Sequence, residues 1–160
     1  MFSLILKNNK TEDYSIKTVR KSENFNREVF VDFLYKSLEE YGDDRNSIEE
    51  SIDYALSDSS GKGGFIVCIK SVKTGKFLAG AVINRTGMKE YIPENILVYI
   101  AVDRHFRGKG LGKILLKKII SLCEGNIALH VEYDNPAKFL YKKMGFKSKY
   151  AEMRLEKKDL

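Results

Sequence analysis

The six residues Arg107-Gly108-Lys109-Gly110-Leu111-Gly112 constrain this chain more than any other stretch. They stand between an apolar run at residues 95–102 and a run of helical periodicity at residues 111–123. The first run is continuously apolar, as expected of a strand covered on both faces. In the second, Leu111, Ile114, Leu115, Ile119 and Leu122 make one inner stripe. A glycine-rich turn that leaves a strand and opens a helix presents several backbone N–H groups together, at the positive end of the helix dipole. Arg107, Lys109 and Lys113 add cations beside that nest. The spacing therefore predicts a site for a phosphorylated small molecule.

Two familiar phosphate motifs do not fit. A P-loop has glycine five residues before its Gly-Lys pair and Ser or Thr after it. Here Gly112-Lys113 has Arg107 in the first place and Ile114 in the second. A dinucleotide fingerprint needs a third glycine three residues after the second. Counted from Gly108 that place holds Lys113, and counted from Gly110 it holds Leu115.

The hexapeptide does resemble the pyrophosphate-binding motif of the GNAT superfamily of acyl-CoA-dependent N-acyltransferases, Arg/Gln-x-x-Gly-x-Gly/Ala. Arg107, Gly110 and Gly112 take its fixed places. The preceding Tyr99-Ile100-Ala101-Val102-Asp103 looks like the family's fourth strand and its exit. A second block, with Asn135, Ala137, Tyr141, Gly145 and Phe146, is also similar. The resemblance covers residues 95–147; before that only the order of elements agrees.

What the resemblance implies is specific. The fold class is α/β: a mixed, mostly antiparallel central sheet with helices on both faces. The sheet is splayed at a bulge between the family's fourth and fifth strands. The gap takes the pantetheine arm of acetyl-CoA or coenzyme A, which pairs with strand backbone much as an added strand does. Ile100, Ala101 and Val102 then offer main-chain bonds, and Arg107, Gly108, Lys109, Gly110, Leu111 and Gly112 hold the pyrophosphate. Lys113 and Asn135 are further cofactor candidates, though a solvated lysine and a helix cap before Pro136 serve as well. The reaction is transfer of an acyl group, usually acetyl, to an amine, without a metal. Tyr141 is the general acid that protonates the leaving thiolate. Helical spacing alone would place Tyr141 in the core beside Ala137, Leu140 and Met144. Glu90, Glu94 and Glu132 are candidate bases. His130 reads as a packed strand residue and His105 as a shaper of the turn, so no base is assigned.

The rest of the chain sets limits. Its 160 residues suit one domain, residues 1–160. No run reaches the ~18–20 apolar residues that cross a membrane, and the start lacks a basic leader. Cys68 and Cys123 lie inside apolar runs and read as buried thiols of a reducing, cytoplasmic setting. No Cys or His cluster has metal-ligand spacing. Residues 1–80 carry 12 Lys and Arg against 13 Asp and Glu, whereas residues 81–160 carry 16 against 9. The basic half is the half with the phosphate motif, as an anionic cofactor requires. It lacks any recognisable nucleic-acid motif. The predicted elements are strands at 2–6 and 14–19, helices at 26–40 and 48–56, and strands at 64–72, 77–84 and 96–102. The helix at 111–123, a strand at 127–133, a helix ending at Gly145 and one or two closing strands within 146–155 follow. The connection between the first two helices is acidic and suits a cationic acceptor, a small-molecule or peptide amine. Homodimers are common in the family. The competing reading is a non-catalytic acyl-CoA sensor of the same fold.

Overall fold

Large apolar side chains on both sides of two neighbouring strands dictate a sheet buried on both faces. In β3 (Gly64–Ser71) and β4 (Phe77–Arg85) nearly every residue is buried. The computed structural model describes residues 4–6, 13–20, 24–61 and 63–159. It joins six strands in the order β1 (Leu4–Leu6), β2 (Tyr14–Val19), β3, β4, β5 (Asn95–Val102), β6 (Ile127–Leu129). Every neighbouring pair is antiparallel except β5 and β6, which run parallel. Residues 2 and 3 of the expected first strand lie outside the described residues.

The helices cover the two faces in pairs. α1 (Arg27–Leu38) and α2 (Arg45–Ala55) pack Phe30, Leu34, Ile48 and Ile52 onto Ile66, Cys68 and Val82. α3 (Leu111–Leu122) and α4 (Ala137–Lys143) pack Leu115, Ile119 and Tyr141 onto Phe65, Val67, Ile69 and Ala81. Each strand thus gives alternate residues to alternate cores. The first helix ends earlier than its apolar spacing predicts: Glu39–Tyr41 tighten into a 3-10 turn, and the Gly42 N–H bonds the Glu39 carbonyl. The second begins earlier, because the Asp44 carboxylate accepts from the Ser47 N–H and caps it.

One irregularity decides the site. Val82 faces Tyr99 across the β4–β5 ladder, yet Ile83 faces Leu97, so Val98 is an extra residue, a β-bulge. An added residue reverses the side-chain phase. Leu97 accordingly lies in the α3–α4 core, while Tyr99 and Ala101, of the same parity, lie in the α1–α2 core. β6 pairs with β5 only from Asn95 to Leu97 and stops at the bulge. The strand expected at 127–133 therefore ends at Leu129, and residues 130–133 are exposed. The closing strands expected within 146–155 do not form either. That stretch meets no strand edge, and Tyr150, Met153 and Leu155 are exposed.

Candidate active site

β5 carries an open edge past the bulge. The Asp103 N–H bonds the Leu78 carbonyl of β4. Backbone groups along a strand alternate sides, so those of Tyr99 and Ala101 also point to β4 and those of Ile100 and Val102 point away. With β6 ended, no strand among the described residues pairs the outward groups, and the Val102 carbonyl turns to the Arg107 guanidinium. Of the three predicted main-chain partners, Ile100 and Val102 thus face the gap, whereas Ala101 faces β4.

The strand exits through a 3-10 turn, Arg104–Phe106, capped by Asp103, whose carboxylate accepts from the His105 N–H at 2.8 Å and lies 3.1 Å from the His105 ring. Then Gly108 (φ 73°) and Gly110 (φ 84°) take left-handed conformations, and Gly110 starts α3. A Cβ on either would meet no atom within 4 Å, so the glycines serve backbone shape and leave open space above the turn. No side chain caps α3. Its first N–H groups, from Leu111 to Lys113, are therefore free for an anion. Lys109 lies 4.8 Å over the Phe106 ring, and Lys113 is exposed.

Arg107 sits differently from a phosphate clamp. Its guanidinium donates to the Val102 carbonyl (3.1 Å), the Ser37 carbonyl (2.9 Å) and the Glu39 carboxylate (3.3 Å). It braces the turn against the end of α1. Gly112 leaves room for Leu140 of α4: a Cβ there would stand 3.1 Å from Leu140 and 3.8 Å from Val102. That contact brings α4, and Tyr141 with it, to the face that carries the turn. The Tyr141 ring is buried, 8% exposed, and meets Phe146 edge-on at 5.9 Å. Burial pushes its hydroxyl up to about 12. That hydroxyl makes no hydrogen bond with another described residue, yet no fully buried polar side-chain atom lacks a partner among the described residues. Its oxygen therefore opens to solvent. Asn135 stands one residue before the cap position, which Pro136 takes, and its Oδ1 accepts from the Ala137 N–H at 2.9 Å.

Open strand edge, exposed helix start and free glycine turn together fit an elongated ligand with an anionic head and an amide-bearing arm. The comparisons with known proteins give the same direction. The model of the Acetyltransferase (GNAT) family matches residues 25–146. The chain belongs to the GNAT acetyltransferase family. A protein of Pyrococcus horikoshii OT3 is 26% identical, with a TM-score of 0.65 over 88% of this chain and 92% of its own. Glucosamine-6-phosphate N-acetyltransferase of Arabidopsis thaliana is 21% identical, with a TM-score of 0.57 over 89% and 98%. An acetyltransferase of Trypanosoma brucei is 19% identical, with a TM-score of 0.59 over 90% and 99%. Curated proteins give no match. GNAT acetyltransferases generally use acetyl-CoA, and no group of three or more metal-ligating side chains occurs among the described residues.

On the opposite face of this acetyltransferase, the α1–α2 connection comes to β5. The Tyr99 hydroxyl, turned that way by the bulge, donates to the Asp43 carboxylate at 2.5 Å, and burial with that bond raises its pKa. Burial raises the Tyr41 hydroxyl too, and the charges of Asp134, Glu40 and Glu132 add to the shift. A cavity of about 280 Å³ lies nearby along the bulge, lined by Tyr54, Met88, Ile96 and Val98 among others.

The candidate bases separate. Glu94 sits at the far end of β5, where its carboxylate accepts from the Asn126 N–H at 2.7 Å; that bond lowers its pKa. Glu90 lies in the loop before β5. Glu132 is exposed beyond the end of β6, and its charge adds to the upward shift of the Tyr41 hydroxyl. His130 is exposed beyond the end of β6 rather than packed in a strand. Sequence reasoning missed the Tyr99–Asp43 bond, although a tyrosine hydroxyl in an otherwise apolar buried strand is a signal that a polar partner must reach it.

Proposed function

We propose that the chain is an N-acetyltransferase that moves acetyl from acetyl-CoA to a primary amine by direct attack while both are bound. The observation that carries this reading is the open β5 edge, Ile100 and Val102, leading straight into the uncapped start of α3. The outward Ile100 backbone and the Val102 N–H hold the pantetheine arm, and N–H groups from Gly108 to Lys113 hold the pyrophosphate. Acetyl-CoA supplies an acyl group activated as a thioester. This chain supplies position above all, since aligning two reactants is itself worth several orders of magnitude. The Tyr141 hydroxyl, protonated at neutral pH, donates its proton to the departing sulfur.

The acceptor enters from the α1–α2 face. The acidic α1–α2 connection, with Glu40, Asp43 and Asp44, favours an amine that carries additional positive charge. It disfavours a phosphorylated acceptor such as the one the Arabidopsis relative is named for. Incubation with acetyl-CoA and a panel of polyamines, amino sugars and lysine peptides, read by mass spectrometry, tests the reading. A gain of one acetyl group on a cationic amine supports it. Calorimetric binding of acetyl-CoA with no acetylated product across the panel leaves the sensor reading in its place, and no binding removes both.

A further inference from the structure

The cavity of about 280 Å³ on the α1–α2 face has a chemistry that acetyl transfer alone does not assign. Tyr54 of α2, Ile96 and Val98 of β5, Asn84 of β4, and Thr86 and Met88 just beyond β4 line it, with the Arg85 backbone between them. Strand phase fixes which side chains enter. Leu97 and Ile83 lie in the α3–α4 core, so their neighbours Ile96 and Asn84 point to the α1–α2 face. The Arg85 side chain points to the opposite face, where its charge partly offsets the burial that raises the Cys123 thiol. The bulge turns Val98 to the α1–α2 core beside Tyr99. Ile96, Val98 and Tyr99 thus follow one another on one face, and the cavity borders the Tyr99–Asp43 bond.

The polar groups of its wall are already engaged. The Tyr54 hydroxyl donates to the Arg85 carbonyl at 2.8 Å and lies 3.1 Å from the Gly61 carbonyl. The Thr86 hydroxyl donates to the Pro93 carbonyl at 2.8 Å and accepts from the Met88 N–H at 3.1 Å. The Asn84 amide, its nitrogen turned to α2, donates to the Ser51 carbonyl at 3.1 Å. A polar or charged guest would give up water here without gaining partners, which is costly. An apolar guest gains from every methylene it buries. The volume suits part of a ligand: at ~30 Å³ for each group of water size, it takes about nine.

We propose that this cavity takes the apolar tail of the acceptor amine, up to about nine heavy atoms long. Resting on the acetyltransferase reading, it narrows the acceptor to an amphipathic amine. The additional positive charge favoured by Glu40, Asp43 and Asp44 sits close to the reacting nitrogen, and the far end of the molecule is uncharged. Ile96 and Met88 set the length of tail that fits.

N-alkylethane-1,2-diamines with tails from methyl to dodecyl test this, because they share one charged end and differ only in the tail. Calorimetry in the presence of coenzyme A gives Kd without turnover, and assays with acetyl-CoA give kcat/KM. Both should improve by up to about fourfold per methylene and stop improving near nine carbons. A tail of equal length that ends in an ammonium should lose the gain. Ile96→Phe should move the stopping point to a shorter tail. Met88→Ala, at a side chain 43% exposed, should move it to a longer one, with melting curves to show that both variants fold. Equal acetylation of every diamine with a flat Kd overturns the cavity proposal and leaves the transfer reading standing. Affinity that rises with tail length, with no acetylated product, separates the two the other way: the cavity binds the tail and the transfer reading fails. A stopping point that neither variant moves places the tail elsewhere and overturns the assignment.

Discussion

Replacing Tyr141 by Phe removes one oxygen and nothing else, which makes it the sharpest probe of the site. The ring keeps its burial and its edge-on contact with Phe146. The hydroxyl has no bond to lose within the described residues, so stability should change by no more than about 0.5 kcal/mol. The cost must then appear in turnover. A positioned general acid contributes ~10²–10⁴-fold. Two facts favour the low end. A thiol of pKa ~8.5 leaves tolerably without help. Tyr141, pushed up to about 12, is a reluctant donor that gives its proton only when sulfur is stripped of water and more basic than in solution. The expected loss is ~10²-fold in kcat, about 2.7 kcal/mol of barrier. Thiol release at saturating acetyl-CoA measures it, with calorimetry to show an unchanged Kd and a melting curve to show an unchanged fold. A kcat within twofold of the native value would refute the acid role and return Tyr141 to the core.

Arg107→Ala cuts three bonds that tie the turn to Val102, Ser37 and Glu39; it should weaken acetyl-CoA binding several-fold by calorimetry, and Arg107→Lys should not restore it, because an ammonium lacks the planar fork. Gly112→Val pushes a branched side chain into the 3.1 Å approach of Leu140, so the chain should lose ~1–3 kcal/mol in denaturant unfolding and bind acetyl-CoA less well. Alkaline pH should unfold the protein early. Burial raises Cys68 to about 11 and Tyr141 to about 12, so the unfolded chain releases those protons first; stability is complete below about pH 9 and falls as pH climbs through 11 to 12, by an order of 3 kcal/mol for each group. A melting temperature that stays flat from pH 8 to pH 11 contradicts this.

Several parts of this architecture are legible in the residues themselves. The α3 stripe, the Gly-rich turn and the apolar β3–β4 hairpin each announce their geometry, because period and glycine placement are local properties. The ends of α1 and α2 shift by a few residues through local caps and turns, whereas the strand boundaries that fail are set by partners distant in sequence. Leu129 and His130 differ little as strand formers, yet the strand ends between them because the β5 ladder is interrupted at Val98. No residue type at 98 marks that bulge. Met153 and Leu155 read as strand and find no edge in the single chain. Arg107 reads as a cation for a phosphate; its partners Ser37 and Glu39 lie about seventy residues away and become visible only when α1 is folded onto the sheet.

The bulge at Val98 explains more of the site than the glycine motif does. A regular β5 would pair with β6 along its length, and Ile100 and Val102 would have no free backbone to offer. A regular β5 would also keep Tyr99 in phase with Leu97, in the α3–α4 core and away from Asp43. One inserted residue therefore does two things at once. It opens the edge on which a thioester-bearing arm can lie, and it rotates Tyr99 onto the face where Asp43 and the acidic α1–α2 connection stand. The gap and the proposed acceptor face are consequences of a single register shift, and this is why the two substrates of the proposed reaction would meet at β5 from opposite sides of the sheet.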